Sequence, residues 1–192
     1  IQEIYEKCGG VNRFLSFTDN RMVASCTGGK ILWMKENEPD LYKRTDVVIT
    51  PKDYFRMLLT GEIATDESDA SGYGLYDVKN RCWSRELLEY IGIPASILPE
   101  VKHSNAYAGK ILPQIADELQ ISKNTKIVMG GGDAIVQTAG AGAVEKGIYS
   151  VVLGSGGNIS ASSESFYENE KGNIQFYASS VPENWVAYAG IM

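Results

Sequence analysis

Two glycine-rich turns, each set at the end of an apolar run, constrain this chain more than anything else in it. The first, Met129-Gly130-Gly131-Gly132-Asp133, follows the strand-like Lys126–Met129 and places a carboxylate after three residues that lack side chains. Glycines there let other groups approach closely. The second, Leu153-Gly154-Ser155-Gly156-Gly157, follows Ile148–Leu153 and bares a run of backbone N–H groups at a strand tip. Converging amides of this kind can hold an anion, and a positioned carboxylate can take a proton. One acid and one phosphate cradle are the parts needed to move a phosphoryl group onto a hydroxyl.

A dinucleotide-binding loop is the rival reading of the second turn, and its context is wrong. The third glycine of GxGxxG is absent, and Ile159-Ser160-Ala161-Ser162 reads as strand where a pyrophosphate needs a helix N-terminus. A β-hairpin whose tip amides face a phosphate fits the residues better. GGGD taken alone is more often a tight structural turn than a catalytic site, so the order of motifs along the chain has to supply its meaning.

That order is one of strands alternating with helices, followed by a run of strands. Residues 30–44 carry helical spacing in Ile31, Met34 and Leu41, and Pro39 divides them into two short helices. Asp46–Thr50 reads as a short strand. Thr50 and Pro51 read as the start of a helix that carries Tyr54, Phe55, Leu58 and Leu59 on one face and closes at Gly61. A turn-rich stretch over 62–83 includes a turn at Asp77–Asn80. Ser84 caps a helix that runs to Gly92, before Pro94. Tyr107–Ile111 predicts a strand, Pro113–Leu119 a short helix, Lys126–Met129 a buried strand, and Asp133–Ala143 a tightly packed helix of small residues. From Gly147 the texture becomes β, with strands expected at 148–153, 158–162, 173–179 and 185–189. The pattern predicts an α/β protein with a domain boundary near Ala143–Gly147.

Composition excludes several function classes. A formal charge of −6 over 192 residues argues against a nucleic-acid or anionic-membrane surface. No apolar run approaches the ~20 residues of a membrane helix, and the opening IQEIYEKCGG resembles no signal peptide. Cys8, Cys26 and Cys82 have no metal-like spacing and read as reduced thiols of a cytoplasmic protein. Ile1 falls inside a helix-like stretch, and the chain stops on the apolar run Trp185–Met192. Both ends lead us to expect part of a longer protein, with the terminal run pairing with strands beyond it.

Read in order, Pro51-Lys52-Asp53-Tyr54, Leu59-Thr60-Gly61-Glu62, Ala64-Thr65-Asp66, Ser68-Asp69-Ala70-Ser71-Gly72, Trp83-Ser84, Gly130–Asp133 and Leu153–Gly157 resemble the FGGY carbohydrate kinases. The likeness runs from about Gly29 to Met192, and xylulokinases are its nearest branch. It implies a two-domain α/β protein of the actin-like ATPase (ribonuclease H-like) fold, with sugar and MgATP meeting in the cleft between domains. It implies that Asp133 is the general base, that Asp133 and Ala134 face the sugar, and that Gly154, Ser155, Gly156 and Gly157 bind the phosphates of ATP. Mg²⁺ is the implied metal, with no ligand assigned in this chain. Residues 1–145 then correspond to the later part of the sugar-binding domain, and 146–192 to the start of the ATP-binding domain. The family's first phosphate loop, its early sugar-binding segment and its adenosine pocket fall outside these residues, so the 192 residues alone are expected to be inactive.

The chain departs from the family pattern in three places. An amide residue usually follows the acid, and here it is Ala134. The phosphate loop usually reads GTSG, and here it is Gly154-Ser155-Gly156-Gly157. The turn before the motif lysine often holds proline, and here it is Gly28-Gly29-Lys30. Other residues take plainer readings. His103, the only histidine, is expected at the surface. Asp66, Ser68 and Asp69 are expected to cap helices rather than touch sugar, and Trp33, Trp83 and Trp185 to sit in the core. Asn158 stays open between the cleft and a plain strand position. The expected function is ATP-dependent phosphorylation of a sugar hydroxyl, D-xylulose to D-xylulose 5-phosphate first. Another pentulose, a polyol or a sugar acid is the alternative within the family, and a non-catalytic sugar-binding or regulatory protein is the alternative outside it. The partners are small molecules, with homodimer formation left open.

Overall fold

The computed structural model describes residues 1–154 and 156–191, Ile191 through its backbone alone. The chain opens with α1 (Gln2–Cys8) and α2 (Val11–Thr18), joined at Gly9, whose φ of 92° ends the first helix. Then come α3 (Thr27–Asn37) and α4 (Pro39–Lys43), divided at Pro39 as expected. Helix α5 (Pro51–Thr60) starts on a proline and closes at Gly61, with φ 78°. Strand β1 (Ala64–Asp66) leads into α6 (Glu67–Ser71), and a hairpin of β2 (Tyr76–Asp77) and β3 (Cys82–Trp83) leads into α7 (Arg85–Ile91). Next are β4 (Glu100–Lys102), β5 (Tyr107–Lys110), α8 (Pro113–Glu118), β6 (Lys126–Val128) and α9 (Asp133–Gly140). Strands β7 (Tyr149–Leu153), β8 (Gly157–Ser163), β9 (Gln175–Ala178) and β10 (Trp185–Ile191) complete the chain.

The largest core lies among α1, α2, α3 and α7, where Ile4, Phe14, Ile31, Leu32, Leu87 and Ile91 close around Tyr73 and Leu75. Each such side chain contributes roughly 1.5–3 kcal/mol when fully buried. Strands β1 and β4 pair in parallel, while β5 and β6 pair antiparallel with a shift of register between Tyr107 and Gly109. The last four strands form an antiparallel sheet in the order β7-β8-β10-β9. Strand β9 is anchored to the helical part at its backbone. Asn20 exchanges two 2.7 Å hydrogen bonds with the Phe176 main chain, and the Ala178 N–H donates to Ser71 Oγ at 3.0 Å.

The structure departs from the residue pattern in several places. Asp46–Thr50 is extended but joins no strand; its Val48 N–H bonds a single carbonyl, that of Ile97. Helix α5 turns its apolar residues outward, with Phe55 63% exposed and Tyr54 and Leu58 also exposed, and it buries Asp53 and Arg56 instead. Strand β6 is not buried, since Lys126 and Val128 are exposed and Ile127 is half-buried. Helix α9 buries only Ile135 and Thr138, so it is not tightly packed. Strand β10 is an interior strand paired on both sides. The exposed apolar edge belongs to β7, where Tyr149 and Val151 face outward and Leu153 is 86% exposed. Trp33 stands 58% exposed on α3, whereas Trp83 and Trp185 are half-buried and donate their indole N–H groups to Pro99 and Val78 carbonyls. Cys8, Cys26 and Cys82 are all free thiols. None of the described helices is long and apolar enough to cross a membrane.

Candidate active site

The first glycine run leaves β6 through buried Met129 and turns at Gly130, whose φ of 76° suits glycine. Its neighbours need glycine for closeness. A Cβ on Gly131 would lie 2.9 Å from Val136 Cγ1 and 3.0 Å from Ser68 Oγ, and one on Gly132 would lie 3.1 Å from Asp69 Oδ1. The space against the run is taken by a charged network drawn from α5, β1 and α6.

Lys52 Nζ is the centre of that network. It lies 2.7 Å from Asp53 Oδ1, 3.0 Å from Asp66 Oδ1 and 3.3 Å from Asp69 Oδ2. Arg56, only 3% exposed, adds a 2.7 Å ion pair with fully buried Asp53. Its guanidinium also donates to the Met129 carbonyl at 3.1 Å and to the Ala64 carbonyl. Two cations thus hold three carboxylates and grip the strand end that carries the glycine run. Burial alone would push the Asp53 carboxyl up, but Lys52, with Thr65 and Arg56 adding, outweighs it and holds its pKa below the usual range. Burial would likewise lower Lys52, and the facing Asp66, Asp53 and Asp69 keep it raised. Asp69 goes the other way. Its burial, with Asp66 and Asp53 adding, raises its pKa against the pull of Lys52.

The far end of the run is held through Asp66. This residue caps α6 as expected, accepting the Ser68 N–H at 2.9 Å. It also accepts the hydroxyls of Ser68 at 2.5 Å and Ser104 at 2.6 Å through the same Oδ2. Ser68 Oγ in turn accepts the Gly132 N–H at 2.8 Å, and the Ser104 carbonyl accepts the Gly130 N–H at 3.0 Å.

Asp133 begins α9 with its side chain exposed, and its Oδ1 accepts the Ala134 N–H at 2.7 Å. Ala134 lies beside it and presents only a methyl group. Tyr177 on β9 is within electrostatic reach of this acid. Burial, with Cys26, Tyr188 and Asp133 adding, pushes its hydroxyl pKa up to about 12. The second glycine run is the tip of the β7–β8 hairpin, where Leu153 pairs with Gly157 and the Gly154 N–H donates to the Gly156 carbonyl at 2.9 Å. Among the described residues a Cβ on Gly154 would meet nothing nearer than that carbonyl, at 3.7 Å. Ser155 lies outside the described residues. A 2.7 Å hydrogen bond between Thr138 and Ser160 joins the helix that begins at Asp133 to the strand that begins at Gly157. Asn158 is a strand residue opposite Val152. His103 is partly exposed, with Nδ1 3.1 Å from Glu67 Oε2.

Lys52, Asp53, Arg56 and Ser104 had no role in the sequence reading, although Lys52 and Asp53 belong to one of its motifs. The legible signal was Asp53 and Arg56 at i and i+3, two opposite charges on one side of a helix with an apolar opposite side.

The profile of the FGGY family of carbohydrate kinases, N-terminal domain, matches residues 1–140. This chain belongs to the FGGY family. It is 36% identical to the xylulose kinase of Bacillus subtilis (strain 168) over 172 residues, covering 90% of this chain and 34% of that protein. It is 34% identical to the xylulose kinase of Lactococcus lactis subsp. lactis (strain IL1403) over 181 residues, covering 94% of this chain and 36% of that one. Among solved structures, it superposes on a xyloylose kinase from Brucella ovis with a TM-score of 0.89 and 27% identity, covering 97% of this chain and 39% of that one. The fold is therefore the actin-like ATPase fold of sugar kinases. The chain spans about a third of the length of the curated FGGY relatives it matches.

Proposed function

We propose that these residues are one section of an ATP-dependent sugar kinase that phosphorylates a ketose, D-xylulose first, to the 5-phosphate. The observation that carries this reading is an exposed carboxylate, Asp133, at the start of a helix whose preceding loop is fixed at both ends by a buried network. Identity to xylulose kinases over nine-tenths of the chain supports the substrate. In this reading Asp133 accepts the proton of the attacking sugar hydroxyl. Main-chain amides at the β7–β8 tip hold phosphate oxygens in this reading, the Gly154 N–H being already engaged by the Gly156 carbonyl. Mg²⁺ bound with the nucleotide would supply neutralisation of charge on the transferring group; among the described residues no cluster of three acidic, histidine or cysteine side chains could hold it alone.

Within the same proposal, residues 1–145 belong to the sugar-binding domain and 146–192 open the ATP-binding domain. The family match ending at residue 140 and the sheet beginning at Tyr149 support that division. A cytoplasmic setting accords with three free thiols. Ala134 favours a second reading of the substrate. A methyl group cannot hydrogen-bond the sugar where xylulokinases usually have an amide, so another pentulose, a polyol or a sugar acid competes. A panel of these acceptors, compared by kcat/KM in the complete kinase, separates the two.

The phosphate cradle has its own test. Gly156→Val puts a branched side chain at the hairpin tip and raises the KM for ATP about tenfold, a ~1.4 kcal/mol loss. The sugar KM changes far less. A variant in which only the sugar KM moved would assign the hairpin to the other ligand.

A further inference from the structure

Helix α6 needs only a cap, and Asp66 supplies it by accepting the Ser68 N–H. The Ser68 hydroxyl has no part in that cap, yet it is buried and both donates and accepts a hydrogen bond. It donates to Asp66 Oδ2 at 2.5 Å and accepts, at 2.8 Å, the N–H of Gly132, a residue 64 positions further on and directly before Asp133. Asp66 itself cannot drift, because Lys52 and Ser104 also hold it. Rigid support thus passes from Lys52 through Asp66 and one serine oxygen to the peptide that starts α9.

We propose that Ser68 is a positioning residue for Asp133, fixing the direction from which the carboxylate meets the sugar hydroxyl. The proposal rests on the reading of Asp133 as the base. Phosphoryl transfer depends on alignment, and a misplacement of about 1 Å can cost about 100-fold in rate. Glycine at 130, 131 and 132 leaves the loop without side-chain packing of its own, so an external hydrogen bond must set its position. Ser68 supplies that bond at the residue nearest the acid.

A double-mutant cycle in the complete kinase tests this. Ser68→Ala lowers kcat about tenfold or more and leaves the sugar and ATP KM values within a few-fold, while Ser68→Thr, which keeps the hydroxyl, restores most of the rate. In the Asp133→Asn background Ser68→Ala causes no further loss, because no base remains to be aligned. Equal losses in both backgrounds, or an unchanged kcat, overturn the proposal. Near-normal turnover of Asp133→Asn alone overturns the base assignment and the proposal together, which separates the two failures. Should Ser68→Ala fail to fold, Gly132→Ala serves in the same cycle. Its Cβ would lie 3.1 Å from Asp69 Oδ1, a contact that requires Asp69 or the loop to give by a few tenths of an ångström with Ser68 intact. A loss confined to the Asp133 background supports the proposal, and an equal loss in both contradicts it.

Discussion

Asp133→Asn in the complete kinase lowers kcat about 100-fold or more, with much smaller changes in the KM for sugar and ATP. The substitution is nearly isosteric and falls on an exposed residue, so folding is not its target. The amide oxygen of Asn can still accept the Ala134 N–H that Asp133 Oδ1 now accepts at 2.7 Å, so the first turn of α9 stays intact. The loss is then specific: an amide cannot take the proton of an attacking hydroxyl. A steady-state comparison of the purified proteins, with melting curves to confirm folding, measures it. Turnover close to that of the parent would remove Asp133 from the chemistry.

Arg56→Ala has the largest expected effect on stability, a loss of about 3 kcal/mol or more. Its guanidinium lies in a buried site, pairs with fully buried Asp53 at 2.7 Å and donates to two main-chain carbonyls. Truncation removes a donor from both carbonyls, leaving that of Met129 to Lys52 Nζ at 3.5 Å, and strips Asp53 of one of its two cations. Lys52, 2.7 Å away, remains and keeps the cost near the lower end of the range for broken buried pairs. A net stability of ~5–15 kcal/mol makes this a large fraction. The urea midpoint of the unit containing α5 falls accordingly, and a shift below about 1 kcal/mol would show that the network is not under electrostatic tension. Because the same guanidinium holds Met129, any folded remainder should also turn over slowly.

How far the sequence shows this architecture differs from one element to the next. The two glycine turns were legible because glycine composition and the flanking apolar runs are local properties. Helix α5 was legible in extent, from Pro51 and Gly61, but the pattern did not show which side faces inward. Periodicity reports that two faces differ, and here the charged face meets two other charged groups, Asp66 and Asp69, and the Met129 carbonyl, which lie close only after β1, α6 and the end of β6 have assembled. Trp33 shows the same limit, as an aromatic residue at helical spacing that stays exposed. Asp46–Thr50 has strand-forming residues, yet a strand needs a partner, and only Val48 finds a main-chain acceptor, Ile97. The place of β10 inside its sheet was also illegible. It depends on β9 crossing over to the outer edge, where Asn20 and Ser71 hold it, and neither residue carries a sequence signal for that contact. Capping by Asp66 could be read from the residues; the second task of its Oδ2, holding Ser68 and Ser104 beneath the glycine run, could not.

In the proposed function Asp133 and the hairpin tip serve one reaction, the transfer of phosphate from ATP to a sugar. ADP release by the complete kinase, followed with MgATP in the presence and absence of D-xylulose and the acceptor panel, tests it most directly. The expected result is ADP release that depends on sugar, matches the sugar phosphate formed, and is absent from residues 1–192 assayed alone, because the reactants are then not held together. Contradiction would come from a complete, folded protein that releases no ADP above background with any of these acceptors, or from the 192 residues alone turning over like the whole.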